Sequence, residues 1–255
     1  MMKSPLQDKV RSSNSLACLK RMIPEGSIVS SYLFFAGNLE LGLANDNRFI
    51  IAHTNKSVIY DFWKCVELDA KRVLLIAQSF LPIKDQESFQ LFQDTWTEYN
   101  DPYIRSALLF LLNRASKKGT VSAGEVAIES FNPLSFIYLE SLNLDNFHIV
   151  LEQEECHDSV GKTHTTNTEI LLIPSLVFSH GLPPSAKTRA PEEYRTDHIK
   201  LFKTLRDLKR KWILVYNKHS EVLKLYNDYN TTMIDKHGRE TTSQESCKEL
   251  IIANF

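Results

Sequence analysis

The sequence has no CxxC pair. Its four cysteines, Cys18, Cys65, Cys156 and Cys247, stand far apart, a spacing that suits neither a zinc ribbon nor a disulfide framework and points to free thiols in a reducing, intracellular setting. Nothing ahead of them reads as a secretory leader. Long apolar runs are also missing: the longest, Ala107 to Leu112, is far short of the ~18 residues that a membrane span requires. A soluble chain with no membrane partner is expected. There is little net charge, −1 over 255 residues, so the chain as a whole is no polycation. The balance hides an asymmetry, because Asp and Glu dominate from Asp61 to Asp158 while Lys and Arg dominate the N-terminal part and Lys187 to Lys218. A polyanion would meet the ends of the chain and be repelled by its middle. No internal repeat or low-complexity segment is present.

What is there is an ordinary globular composition, 43% hydrophobic and 24% charged, enough for one large domain or a domain with an insertion. Thr168 to Phe178, TEILLIPSLVF, reads as a fully buried strand ending in a Pro-containing turn. Before it, Leu16, Leu19, Met22 and Ile23 predict an amphipathic helix that stops at Pro24. Ile28 to Phe35 then reads as a strand, followed by a turn at Ala36-Gly37-Asn38 and a helix. Arg48 to His53 is a second strand, and Val58, Ile59, Phe62 and Val66 mark a second helix. From Lys71 to Asn146 the pattern is helical, with Phe131 to Leu142 as its last helix. Phe147 to Leu151 is strand-like and is followed by a polar, acidic loop. After the Pro-rich stretch 179–194 come a helix over Asp197 to Lys209, a strand over Lys211 to Tyr216, a helix over Ser220 to Tyr229 and a closing strand over Lys248 to Asn254. Strand and helix alternate on both sides of a helical block, which predicts an α/β sheet from residues 1–70 and 147–255 with a helical insertion over 71–146.

Particular residues narrow this. Asp101-Pro102-Tyr103-Ile104-Arg105 leads into an apolar helix that ends in Leu112-Asn113-Arg114. Together with Lys211 to Asn217, Lys248 to Asn254 and His198 to Leu208, this stretch resembles the Dam-type family of adenine-specific DNA methyltransferases over nearly the whole chain. The resemblance implies a Rossmann-like sheet that binds S-adenosylmethionine, with the helical insertion recognising the target. It also implies that the strand over Thr168 to Phe178 ends in Asp-Pro-Pro-Tyr. Chemistry explains that motif: an adenine flipped out of the duplex needs a ring to stack on, and its amine needs an acceptor that turns the lone pair toward the methyl group.

Here the aligned residues are Ile173, Pro174, Ser175 and Leu176. Neither the amine acceptor nor the aromatic ring is present. On the cofactor side the glycine turn is reduced to Phe35-Ala36-Gly37-Asn38, the ribose-binding Asp is replaced by His53, an Asp beside the cofactor's adenine aligns with Gln153, and a Trp-Ala-Gly-Gly-Lys type of motif upstream gives way to Arg11 to Ser15. Five departures together predict a non-catalytic homologue that needs no cofactor and works through its surfaces. Its expected partner is another protein, either an active methyltransferase or a component of a nucleoprotein or virion assembly, with DNA as a further candidate. Its expected place is the cytoplasm or the nucleoid, with a virus as one source of such a chain. The alternative is a diverged but active methyltransferase that uses S-adenosylmethionine and borrows an acceptor and a ring from Phe178, Tyr194 or the Pro-rich loop.

Other residues have a plain reading beside a sharp one. Asp101-Pro102 caps the next helix more naturally than it forms a tetrad. Asn113 and Arg114 either contact DNA or close the insertion onto the core, and Arg at a helix end commonly serves carbonyls. Lys117 and Lys118, and Arg206 and Arg210 in the basic set from Lys200 to Lys211, are candidates for phosphate contact or for a solvated helix face. Cys156, His157 and His164 match no standard metal spacing.

Overall fold

The computed structural model describes residues 3–8, 14–83, 85–117, 119–122, 125–127, 132–162, 169–176 and 196–255. Seven strands form one sheet: β1 (Ile28–Ser31), β2 (Phe49–Thr54), β3 (Phe147–Leu151), β4 (Glu169–Leu176), β5 (Trp212–Asn217), β6 (Asn230–Asp235) and β7 (Cys247–Ala253). Their order is β3-β2-β1-β4-β5-β7-β6. The first five run parallel, and β7 lies antiparallel to both of its neighbours. The chain steps outward from β1 through β2 to β3, returns to β4, and steps outward the other way. This α/β, Rossmann-like arrangement has its switch point between β1 and β4, where the strand order reverses.

Alternation along the central strands sorts the core into two layers, as a sheet buried on both faces must. Ile170 and Leu172, Ile213 and Val215, and Ile251 and Ala253 face one cluster. Leu171 and Ile173, Trp212, Leu214 and Tyr216, and Leu250 and Ile252 face the other. The first cluster takes α1 (Leu16–Met22), α2 (Asn38–Ala44), α3 (Ser57–Ser79), α4 (Gln86–Thr95), α5 (Pro102–Ala115) and α6 (Leu134–Glu140). The second takes α7 (Cys156–Lys162), α8 (His198–Asp207) and α9 (Ser220–Leu225).

Local chemistry fixes several of these helices. Arg48, 3% exposed, reaches the last carbonyls of α1 at Ile23 (3.1 Å) and Lys20 (2.8 Å), as a cation at a helix C-terminus should. At the other end of α1, buried Glu249 of β7 accepts the Ser15 amide at 2.8 Å. α3 breaks at Asp69 (φ −159°, ψ 80°), whose carboxylate accepts the Arg72 amide at 3.0 Å and so caps the second half. The break lies just before the expected start of the helical segment at residue 71. Asp101 caps α5 by accepting the Tyr103 amide at 2.8 Å, with Pro102 in the first turn. Ala107 to Leu112 are wholly buried on α5. Each of its four leucines contributes roughly 1.5–3 kcal/mol by leaving water, and they do so in the same cluster as Val29 and Ile50 of the sheet.

Several expectations are corrected. β1 stops at Ser31, and Tyr32 to Gly37 form a loop. The Pro-containing stretch Ile173 to Leu176 is no turn: β4 runs through it, pairing Leu176 with Tyr216 across a register shift after Ile173. A prolyl residue lacks the ladder donor, and an irregularity of this kind is where a strand can hold one. The loop after β3 contains α7, the stretch expected to belong to a helix after β5 includes the turn before β6, and β6 itself was not expected. Phe131 and residues 177–195 lie outside the described residues.

Candidate functional site

The crevice outside the carboxyl ends of β1, β2, β3 and β4 is where a ligand of an open α/β sheet belongs. β1 ends at Ser31, whose hydroxyl is 2.9 Å from the buried Glu40 carboxylate in the first turn of α2. From there the loop dives back into the protein. The Tyr32 amide donates to Leu172 O (2.9 Å) and the Phe34 amide to His53 O (3.2 Å). Phe35 O accepts the Trp63 indole N–H at 2.8 Å, and Ala36 O accepts the Ser4 hydroxyl. Leu33 and Gly37 both take left-handed backbone, φ 58° and 72°. The conformation survives at residue 33 with a leucine in place of the glycine that it favours. Tyr32, Leu33 and Phe34 are all buried, and Phe34 packs on Trp63 and Phe147 at centroid distances of 5.1 and 5.2 Å. Its ring lies 2.9 Å from where a Cβ on Gly37 would stand. Gly37 therefore makes room for a phenyl ring of the chain itself.

At the end of β2, His53 is 8% exposed. Its ring stacks face to face on Tyr32, 4.3 Å between centroids and 6° from parallel. Its Nδ1 lies 2.7 Å from the Glu152 carboxylate, just past β3. A His–carboxylate pair can hold and relay a proton, but one face of this imidazole is covered by the phenol ring. Gln153, aligned with a cofactor contact, is exposed, whereas Glu152 beside it turns inward. Phe35 and Asn38 are half-buried and flank the turn into α2. Tyr32 and Glu152 are thus the two crevice residues that sequence reasoning missed. The signal for Glu152 was one position away; Tyr32 was hidden in what read as strand.

At the end of β4, Ile173 is completely buried in the second cluster and Pro174 is buried beside it, while Ser175 and Leu176 continue the strand. Across from them, Tyr216 Oη lies 3.0 Å from His198 Nδ1. Cys156 is 6% exposed, and burial pushes its thiol far up, with Glu155 and Glu152 adding to the effect. It is a packed hydrophobe and not a nucleophile. Among the described residues no group of three or more His, Cys, Asp or Glu is placed to hold a metal ion. His164, Phe178 and Tyr194 lie outside those residues.

The candidate phosphate contacts do not form one surface. Asn113 is wholly buried at the end of α5, where it receives the Gln7 amide (2.7 Å) and donates to Gln7 O (2.9 Å) and Gly119 O (2.7 Å). Arg114 is half-buried, and burial lowers its pKa, with Tyr138 nearby opposing the shift. Lys117 pairs with Glu125 at 2.5 Å, and Lys118 lies outside the described residues. On the opposite face of the sheet, Arg206 sits 3.3 Å from Asp207 and Arg210 donates to Val160 O at 3.2 Å. α5 belongs to one core layer and α8 to the other.

No protein-family model and no curated protein matches this chain. Its geometry and the resemblance of its motifs are what inform function. Among the described residues no helix is long and apolar enough to cross a membrane.

Proposed function

We propose that this chain is a non-catalytic homologue of the Dam-type DNA adenine methyltransferases that serves as a binding or structural component of a larger assembly. One observation carries the reading. The crevice at the switch point is occupied by the chain's own Tyr32, Phe34 and His53, and the residue aligned with the amine acceptor, Ile173, faces the core. A cofactor would have to displace a stacked pair and a packed ring, and a flipped adenine would then meet no acceptor. Strand order supports the family part of the reading, because β1 to β5 keep the doubly wound order around a switch point and the motif helix α5 is built into the main core.

The partner is proposed to be another protein, an active methyltransferase or an assembly component, with DNA second. The dispersed cations and the acidic middle of the chain favour protein over nucleic acid. Calorimetric titration with S-adenosylmethionine, and separately with its demethylated product, tests the proposal. Absence of heat at millimolar ligand, with the protein shown to be folded, is the expected result. Micromolar binding would overturn it in favour of a diverged, active enzyme.

A further inference from the structure

The segment before α1 does something that neither the fold nor the proposed function requires. Residues 3–8 cross from the crevice loop to the end of α5, and they are built into the protein along the way. Ser4 is 4% and Leu6 1% exposed, and Leu6 belongs to the main core cluster. At one end the Ser4 hydroxyl donates to Ala36 O, in the loop that follows β1. At the other, Gln7 is gripped through both backbone and side chain. Its amide and carbonyl exchange hydrogen bonds with the Asn113 carboxamide (2.7 and 2.9 Å), and its Nε2 donates to Asn113 O (2.5 Å) and Ser116 O (2.9 Å). Gly119, at φ 77°, lies so close beneath that a Cβ there would stand 2.4 Å from Gln7 O. Lys3 extends the bridge to α6, with its ammonium 5.8 Å from the centre of the Tyr138 ring.

We infer that residues 3–8 form an intramolecular latch that holds the crevice loop, residues 32–37, and the end of α5 with the residues just after it, 113–117, as one mechanical unit. Loop and helix end are far apart in sequence, and the two are tied through a strap only a few residues long. Opening either anchor should therefore loosen the other, because each anchor is held in register by the same short backbone. The latch rests on the proposed function in one respect only: it names what keeps the self-filled crevice closed.

Hydrogen exchange on the full chain tests it with two single substitutions that touch opposite anchors. Ser4→Ala removes the hydroxyl that binds Ala36 O and accepts the Leu6 amide, and Gln7→Ala removes the side-chain half of the other anchor, its bonds to the Asn113, Arg114 and Ser116 carbonyls, and leaves the backbone pair with the Asn113 carboxamide. Each is expected to speed exchange about tenfold at both anchors, 32–37 and 113–117 together, as loss of a local hydrogen bond does, while α8 and α9 on the other face stay at their original rates. An effect confined to the substituted anchor in both variants would overturn the latch. Ser4→Ala deletes a single hydroxyl, so it reports even if Gln7→Ala fails to fold. Exchange needs no cofactor, and S-adenosylmethionine titrated into Ser4→Ala separates the two ideas. Coupled loosening without binding sustains both; coupled loosening with binding sustains the latch and overturns the non-catalytic reading; uncoupled loosening overturns the latch whatever the titration gives.

Discussion

Asn113 shows how much one side chain decides in this protein. Sequence pattern leaves it between DNA contact and closure of the helical segment, since a polar residue after a run of leucines suits both. Its complete burial and three hydrogen bonds to Gln7 and Gly119 give it the second role. Asn113→Ala should lower the unfolding free energy in urea by about 2–3 kcal/mol, because it strands buried backbone groups of the strap. Lys117→Ala, which loses an exposed ion pair with Glu125, should change it by less than about 0.5 kcal/mol. Equal small effects would mean that the carboxamide is dispensable. At the crevice, His53 was legible as a departure from an acidic residue, but its stacking on Tyr32 and its pairing with Glu152 were not. Those contacts join residues from three strand ends, and no local periodicity encodes which ends meet.

Elements with strong apolar runs were legible and those without were not. β4, β5 and β7 are buried on both faces and read as continuous β-branched and aliphatic stretches. β6, an edge strand that opens with the exposed Asn230 and Thr231, gives no such signal, and α7, with Cys156 and Val160 as its buried apolar residues and a glycine at 161, reads as loop. α5 was visible at both ends because its cap is spelled locally. Asp101→Ala should cost about 1 kcal/mol by removing the acceptor for the Tyr103 amide, measured by thermal or urea unfolding. β4 is the element where the family resemblance and the structure part. Introducing the acceptor and ring of the proposed family's motif with Ile173→Asp and Leu176→Tyr should give no methyl transfer to adenine-containing duplexes. It should also destabilise the fold by about 3 kcal/mol or more, because the new carboxyl enters a wholly buried site among apolar side chains. Recovered transfer would mean that the crevice can still open to a cofactor.

Across the whole molecule the two core layers differ in chemistry, and this sets how stability depends on pH. The layer under α7, α8 and α9 contains Cys156, Tyr216 and Tyr226, three groups that lose a proton only at alkaline pH. Burial drives the Cys156 thiol far above its ordinary 9.0 and both phenols far above 10.0. Each therefore stays protonated in the folded chain after its unfolded counterpart has ionised. The unfolded state then binds fewer protons than the native state, so stability falls as pH rises, starting near the unfolded values. Below about pH 7.5 all three are neutral in both states and contribute no slope. The unfolding free energy should thus be flat in this respect through neutrality and begin to decline at about pH 8, steepening above 10 as both phenols join, with each group adding about 1.4 kcal/mol per pH unit at full effect. Tyr226→Phe isolates one of them. It keeps the ring contacts with Phe202 and Trp212 but removes the ionisable group, so its urea-derived stability should fall less steeply between pH 10 and 11 by about that same slope. An alkaline limb unchanged by Tyr226→Phe would show that Tyr226 is not one of the groups that set the decline.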